Sequence, residues 1–239
     1  MNQDLKAFID DVRHSHGDNL VSVILYGSAA AGDFIPRQSD LNVLIALKRI
    51  QPVDLRDAHA CVREWRRMGH PIPVYFTVSE LQNAADVFPI EFHQMRAARK
   101  VLFGADVLAD LDITDTFLRL QTEYELRSKL ILLRRQYIPA SASAQGLTSL
   151  MAESLPSFAA LFRAVLIVFG VEPPARKREI VAHTAQKLGI DGVPFEKIFN
   201  IRKNNSTQKL DETSANELFT DYMEQIEKVI DAVDGVSKR

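Results

Sequence analysis

The sequence has little of several features that would narrow its class. A single cysteine, Cys61, stands among its 239 residues, so no disulfide can form within one chain. Neither charge sign dominates, because 29 Lys and Arg residues face 31 Asp and Glu residues, which gives no whole-molecule attraction to nucleic acid or to an anionic membrane. Apolar runs such as 164–170 fall far short of the roughly 20 residues that span a bilayer. The first six residues lack the pattern of a signal peptide. Together these absences predict a soluble cytoplasmic protein with neither a membrane nor a nucleic acid as partner.

Helix and strand patterns divide the sequence into two parts. Before about residue 110, short segments rich in β-branched and aromatic residues alternate with helical segments. Strands are expected at 20–26, 41–47 and 72–77. Helices are expected before Gly17 and at 55–68, 80–85 and 90–99, with Ser79 as the N-cap of the helix at 80–85. After about residue 114 only helical patterns remain, at 115–137, 147–169, 177–188, 194–203 and 213–233.

This order of elements predicts an α+β protein with two domains. Residues 1–110 should form an α/β domain, and residues 115–239 should form an all-helical bundle domain of four or five helices. In the helix at 115–137 the apolar residues are expected on one broad face. The most apolar helix, at 147–169, carries large side chains that suit either a bundle core or a surface for another protein: Phe158, Leu161, Phe162, Leu166 and Phe169.

Residues 25–45 combine a glycine turn with two polar side chains on the following strand. The first strand runs into Gly27 and Ser28, where a short helix can begin. Glycine allows close approach of a ligand to the backbone, and N–H groups at a helix start, beside a serine hydroxyl, can hold a phosphate. Asp40 should open the second strand, on which residues 40 and 42 face the same side. Asp40 and Asn42 should then point at one spot beside the phosphate, where carboxylates could hold Mg²⁺.

This segment resembles the signature of the nucleotidyltransferase superfamily, which includes DNA polymerase β and the aminoglycoside nucleotidyltransferases. The signature is a Gly-Ser turn, a spacer, and Asp-x-Asp on the next strand. The resemblance covers roughly the first 100 residues and implies a nucleotidyltransferase-type mixed sheet flanked by helices. The residues that match the signature are Gly27, Ser28, Gly32, Asp33, Ser39 and Asp40.

By this resemblance, a nucleoside triphosphate would be the ligand and Mg²⁺ the cofactor. Asp40 and Asn42 would be the catalytic residues and the metal ligands. The residues that would contact the nucleotide are Gly27, Ser28, Asp33 and Ser39.

Two departures from the signature concern the metal site. Asn42 stands where an active member has its second aspartate, and an amide offers a neutral oxygen. A third acidic residue is expected on the next strand, but the resemblance puts Pro73 or Val74 in that position. Phosphoryl transfer depends on positioning and charge neutralisation. The loss of two carboxylates should therefore cost several orders of magnitude in rate, at ~1.4 kcal/mol of barrier for each factor of ten.

Other residues could compensate for these departures. Asp33 in the spacer could reach the phosphates or a metal ion. Glu80 has a structural alternative as a first-turn acid that matches the helix dipole, and Glu91, which interrupts an apolar run, is either paired structurally or functional. A basic cluster could meet a nucleotide phosphate or could be ordinary surface charge: Arg96, Arg99 and Lys100.

Three functions follow from these observations. The first is a nucleotidyltransferase-fold protein with a degenerate catalytic site that binds nucleotide weakly or is inactive. The second is an active Mg²⁺-dependent enzyme that moves a nucleoside monophosphate from a triphosphate to a hydroxyl of a small molecule or a protein, with Asp33 or Glu91 supplying the missing charge. The third is a protein-interaction module or homo-oligomer, suggested by the apolar late helices. The sequence identifies neither the nucleotide base nor the acceptor.

Overall fold

The chain folds into two compact units, Met1–Thr114 and Asp115–Arg239. The computed structural model describes residues 3–32, 40–203 and 210–236. Within those residues the first unit contains a four-stranded sheet with helices, and the second contains helices alone. The α+β class predicted from the sequence is therefore confirmed.

The sheet of the first unit is mixed, as expected. Its order is β3-β2-β1-β4, with β1 antiparallel to β2 and to β4, and β2 parallel to β3. The strands are β1 (Leu20–Tyr26), β2 (Asn42–Leu47), β3 (Val74–Thr77) and β4 (Arg99–Gly104).

The strand β4 was not predicted from the sequence. It begins two residues after a helix ends, and its short apolar run has no period that separates a strand from a continuing helix. These residues form a strand because they pair with β1, with Arg99 beside Tyr26 and Lys100 beside Leu25.

The helices of the first unit follow the predicted pattern with two corrections. The helix expected at 55–68 is two helices separated by Ala58, and the expected N-cap Ser79 is wrong. Thr77 is the N-cap: its hydroxyl accepts a 3.1 Å hydrogen bond from the Glu80 N–H, while the Glu80 carboxylate accepts a 2.7 Å bond from the Thr77 N–H. A threonine three residues before a glutamate satisfies two backbone donors at once, which a serine at position 79 cannot do. The helices are α1 (Gln3–His16), α2 (Ser28–Ala31), α3 (Pro52–Asp57), α4 (His59–Arg67), α5 (Val78–Asn83) and α6 (Pro89–Ala97).

Helices cover both faces of the sheet, so β1 and β2 are apolar at almost every position. On one face Val43 and Ile45 of β2 pack with the α1 and α4 side chains, among them Trp65. On the other face Leu44 and Ala46 pack with side chains of α5 and α6. Successive residues of β2 thus alternate between the α1/α4 face and the α5/α6 face.

The second unit is a bundle of five helices within the described residues. The central helix is α8, which packs against each of the other four. Its large side chains Phe158, Leu161, Phe162 and Leu166 are buried and Phe169 is half-buried, so these side chains form the core of the bundle. The helices are α7 (Leu118–Ala140), α8 (Ala144–Val168), α9 (Lys177–Leu188), α10 (Val193–Lys203) and α11 (Glu212–Gly235).

The core helix α8 is apolar enough to resemble a membrane span. Its mean hydropathy reaches 1.5, and it passes the length and composition test for such a span. However, 56% of its most apolar window is buried inside the protein, and Arg163 at its buried face donates hydrogen bonds of 2.7 and 3.1 Å to the carbonyls of Pro174 and Ala175. Both features fit a helix at the core of the bundle.

Candidate functional site

The turn after β1 depends on Gly27. Its φ of 79° lies in the region that side-chain-bearing residues rarely adopt. The Gly27 N–H donates to the carbonyl of Ala98 over 2.9 Å, and its carbonyl accepts from the amides of Ala30 and Ala31 over 3.0 Å each. A Cβ atom at this position would lie 3.4 Å from Nδ2 of Asn42. The fold therefore places Gly27 directly beside Asn42, as the sequence suggested.

Ser28 begins the predicted short helix, α2, which is a single turn of four residues. The first amides of any helix lack a partner within it. In this turn the Ala30 and Ala31 amides donate to the Gly27 carbonyl, so the Ser28 and Ala29 amides are the candidates for contact with a ligand. Gly32, in the left-handed conformation with φ of 81°, ends the helix. Asp33 and Ser39, the other two residues assigned to nucleotide binding, lie outside the described residues.

Asp40 and Asn42 do not share a strand. Strand β2 begins at Asn42, which is half-buried and pairs with Tyr26, whereas Asp40 precedes the strand and is exposed. Asn42 lies two residues before Leu44 and therefore shares the α5/α6 face. Leu41, between them, packs into the core of the α1/α4 face. The expectation that residue 40 opens the strand is wrong, because the extended pairing ends where β1 gives way to the Gly27 turn.

The negative charge of Asp40 affects the pKa of His70, a residue that the sequence did not mark as part of the site. Burial lowers the pKa of His70 below its usual value, and the negative charges of Asp40 and Asp4 partly oppose that shift. The His70 ring packs against Trp65 with 4.2 Å between the ring centroids. No motif marked His70, because its closeness to Asp40 arises only when the segment after α4 folds back.

Replacing Asp40 by asparagine should lower the pKa of His70 further, because burial would remain while one of the two opposing charges is removed. The shift can be measured from the pH dependence of the His70 ring signals by NMR. Asp4→Asn should move the pKa in the same direction. Asp86→Asn is the control, since Asp86 is not among the charges that shift this histidine. An unchanged His70 pKa in Asp40→Asn would contradict the placement of Asp40.

The strand β3 supplies no acid beside Asn42. Leu44 pairs with Val74 in parallel register, and β3 begins at Val74, so Ile72 and Pro73 precede the strand. Ile72 is 57% exposed. Val74 packs on the α5/α6 face, which is also the face of Asn42. The positions that the resemblance gives to the third carboxylate, Pro73 or Val74, therefore lie at the start of β3 and carry no acid.

The residues considered as substitutes are placed elsewhere. The carboxylate of Glu80 caps α5, as described above. Glu91 lies in the first turn of α6 and is exposed, so it does not carry the unfavourable burial that suggested a function. Arg99 donates to Asp106 over 2.9 and 3.0 Å, and Arg96 donates to the carbonyl of Leu111 over 3.1 Å. These two arginines hold the structure around β4 and are not simple surface charges.

Within the described residues, the donor set around Asn42 does not fit a pair of Mg²⁺ ions. Mg²⁺ bound beside a triphosphate takes its protein ligands mainly from carboxylates. Here one exposed carboxylate, Asp40, stands near one neutral amide, Asn42. Among residues 3–32, 40–203 and 210–236 there is no group of three or more His, Cys, Asp or Glu side chains arranged to hold a metal.

A cavity in the first unit lies apart from this turn. Its volume is about 500 Å³, and it lies beside β3 and α5. Gly27, Ser28, Asp40 and Asn42 do not line it. Its lining residues are Ile50, Leu55, Tyr75, Phe76, Glu80, Asn83, Ala84, Val87 and Phe88.

Comparison with known proteins bears on the fold. No protein-family model matches the chain, and no curated protein matches it by sequence. Among solved structures, the chain is similar to the crystal structure of spectinomycin adenyltransferase from Enterococcus faecialis with ATP and spectinomycin. The TM-score is 0.57 and the sequence identity is 12%, over 95% of this chain and 98% of that chain. The similarity shows that this protein has a nucleotidyltransferase-like fold, as the Gly27–Asp40 segment predicted.

Proposed function

We propose that this protein is a nucleotidyltransferase-fold protein with a degenerate catalytic site, which binds nucleotide weakly or not at all and transfers no nucleotidyl group. One observation carries the proposal. Nucleotidyl transfer with Mg²⁺ needs carboxylates at the start of β2 and on the neighbouring strand. In this protein the start of β2 has the neutral amide of Asn42, and the start of β3 has aliphatic side chains. Divalent ions beside a triphosphate need anionic ligands to offset their charge.

The nucleotide-binding half of the site supports residual affinity. Gly27 keeps the left-handed turn that starts α2, and Ser28 keeps its hydroxyl at the first position of that helix. Backbone amides and a hydroxyl can bind a phosphate without a metal. Weak binding of a triphosphate is therefore compatible with the loss of transfer. We also propose a cytoplasmic location, in keeping with the absence of disulfides within the chain.

The direct test is a panel of nucleoside triphosphates with Mg²⁺ or Mn²⁺, read by thermal shift and by pyrophosphate release with aminoglycosides and spectinomycin as acceptors. We expect small shifts at most, because a ligand present at its Kd stabilises the fold by only about 0.4 kcal/mol. We expect pyrophosphate release no faster than in the protein-free control. Brisk metal-dependent release that is lost in Asp40→Asn would overturn the proposal.

A second readout does not depend on turnover. A divalent ion held at Asp40 would offset the carboxylate charge and lower the pKa of His70, as the Asp40→Asn substitution would. We expect the His70 pKa to be the same with and without millimolar Mg²⁺ in the presence of ATP. A drop that depends on Mg²⁺ would show that a cation occupies the site.

The alternative function is an active nucleotidyltransferase with a rearranged site, acting on a hydroxyl of a small molecule or a protein. It is favoured by the extent of the similarity, since nearly the whole chain superposes on an adenyltransferase solved with ATP and spectinomycin. Asp33, outside the described residues, would have to supply negative charge. A crystal grown with ATP and Mn²⁺ separates the two functions. Metal at Asp40 with the triphosphate against Gly27 and Ser28 would support the active enzyme.

A further inference from the structure

The helix α7 has two apolar stripes, although the sequence suggested one broad face. The inner stripe packs into the bundle through buried side chains: Leu118, Leu126, Leu130 and Leu133. The outer stripe is exposed and begins at the N-cap residue, Phe117; its members with their exposed fractions are Phe117 (56%), Leu120 (57%), Tyr124 (68%), Ile131 (57%) and Ile138 (74%). A helix on the surface of a monomeric bundle needs only one stripe, so the outer stripe requires another explanation.

The outer stripe has the spacing of a helix that pairs with a second helix. Phe117, Tyr124, Ile131 and Ile138 are each seven residues apart. At about 100° per residue, these four and Leu120 fall within an arc of about 60°. A seven-residue repeat keeps one line of side chains facing a partner along the whole length of two gently supercoiled helices.

We propose that the outer stripe of α7 is the interface of a homodimer, in which α7 of a second copy lies antiparallel across it. Charge along the helix selects this direction. The first half of α7 carries two acids, Glu123 and Glu125, and one base, Arg119, whereas the second half, from Arg127 onward, carries bases and no acid. Antiparallel packing sets the acidic half against the basic half, and the two helix dipoles then also oppose each other favourably. Parallel packing would bring like charges together.

One register satisfies the whole stripe. When Phe117 of one copy lies opposite Ile138 of the other, Tyr124 lies opposite Ile131 and Leu120 lies opposite Arg135. The aliphatic stem of Arg135 can cover Leu120 while its guanidinium meets the neighbouring aromatic rings. Ser128 then lies next to the two-fold axis.

The arginines beside the stripe already have partners within their own unit. Arg127 donates to Glu123 over 2.8 Å, and Arg134 donates to Glu227 of α11 over 2.7 Å. A second copy that approaches this face would therefore not leave these two charges unpaired. This matters because a charge buried without a partner costs more than packing gains.

The exposed area is enough for a weak dimer. With about 150–250 Å² for an aromatic side chain, the five residues together expose on the order of 500 Å² per copy. Apolar patches larger than a few hundred Å² on a soluble protein commonly mark interaction sites. Two copies would bury on the order of 1,000 Å², close to the lower limit of a specific interface.

The test is the molar mass of the full chain by light scattering and sedimentation over a wide concentration range. We expect a reversible dimer, and Ile131→Glu should weaken it at least about tenfold, because a carboxylate would be buried at its centre. The control is Leu132→Glu. Leu132 is also exposed, at 47%, but it lies about 100° away around the helix, so this variant should dimerise as the unchanged protein does. Equal melting temperatures would show that both variants fold. A monomer at every concentration, or a dimer that Ile131→Glu leaves intact, would overturn the proposal.

Cysteine cross-linking tests the direction. Cys61 is buried and can be replaced by alanine to give a background without thiols. Ser128→Cys should form a disulfide-linked dimer under oxidation, because two copies of residue 128 meet near the axis. Ile138→Cys should not, since its counterpart lies at the far end of the helix. The reverse result would mean a parallel pair and would refute the antiparallel arrangement.

Discussion

Trp65→Ala is expected to lower the free energy of unfolding of the first unit by about 3–5 kcal/mol, the usual loss when a large buried aromatic side chain is truncated. Trp65 is fully buried. It stacks on Phe8 of α1 with 4.3 Å between centroids, and it packs against His70 on its other side. Its indole N–H donates to the carbonyl of Pro71 over 3.0 Å. One side chain thus joins α1, α4 and the segment that leads into β3.

Urea unfolding followed by circular dichroism measures this loss, because the variant has no tryptophan fluorescence. Trp65→Phe should cost less, since it keeps the ring stacking and loses only the indole hydrogen bond and part of the volume. Val53→Ala is the surface control: Val53 is 45% exposed, and the change should stay within about 0.5 kcal/mol. A loss below about 1 kcal/mol for Trp65→Ala would contradict its role as the centre of this layer.

The second large effect concerns metal affinity. Asn42→Asp alone should gain little, because the β3 side would still lack an acid. Asn42→Asp combined with Ile72→Asp should bind Mn²⁺ at least about a hundredfold more tightly than the unchanged protein. Asn42 and Ile72 each precede the paired residues Leu44 and Val74 by two positions, and paired strands lie about 4.8 Å apart, so we expect the two new carboxylates to lie close together. That spacing lets both reach one ion.

Electron paramagnetic resonance of free Mn²⁺ measures the affinity. The matched control is Asn42→Asp with Val53→Asp, which adds the same charge at an exposed aliphatic residue of α3. If the control binds Mn²⁺ as tightly as the Ile72 variant, the gain in affinity comes from net charge. The side chains at positions 42 and 72 then do not form one metal site. If neither variant gains affinity, missing carboxylates are not what disables the site.

The sequence predicted those helices and strands whose apolar residues recur with a clear period. The bounds expected for β1 and α9 agree with the structure because a buried β-branched run and a capped amphipathic helix each have a clear pattern. The strand β4 has no such pattern, and only its pairing with β1 makes it a strand. The start of α5 was misplaced because Ser79 and Thr77 are both good N-caps, and the glutamate at position 80 decides between them.

The site could be predicted in part for a similar reason. The Gly27 turn is local, so its residue types and spacing predicted it. Whether Asp40 and Asn42 share a strand is not decided locally, because it depends on where β1 stops pairing with β2. Asp40 lies outside the strand at the surface, where its charge affects the pKa of His70. The identity of the β3 residues that lie beside β2 depends on the β2–β3 register, which a single sequence does not contain.

The capping arrangement at Thr77 has a second consequence. Strand β3 is the last strand of the sheet, and its outer side would ordinarily offer a template on which strands of other molecules could add. The carbonyl of Pro71 is already occupied by the Trp65 indole, Pro73 has no N–H to give, and the Thr77 N–H is held by Glu80. Both ends of this four-residue strand are therefore closed to a further strand, so the hydrogen bond that caps α5 also shortens the edge on which another molecule could pair.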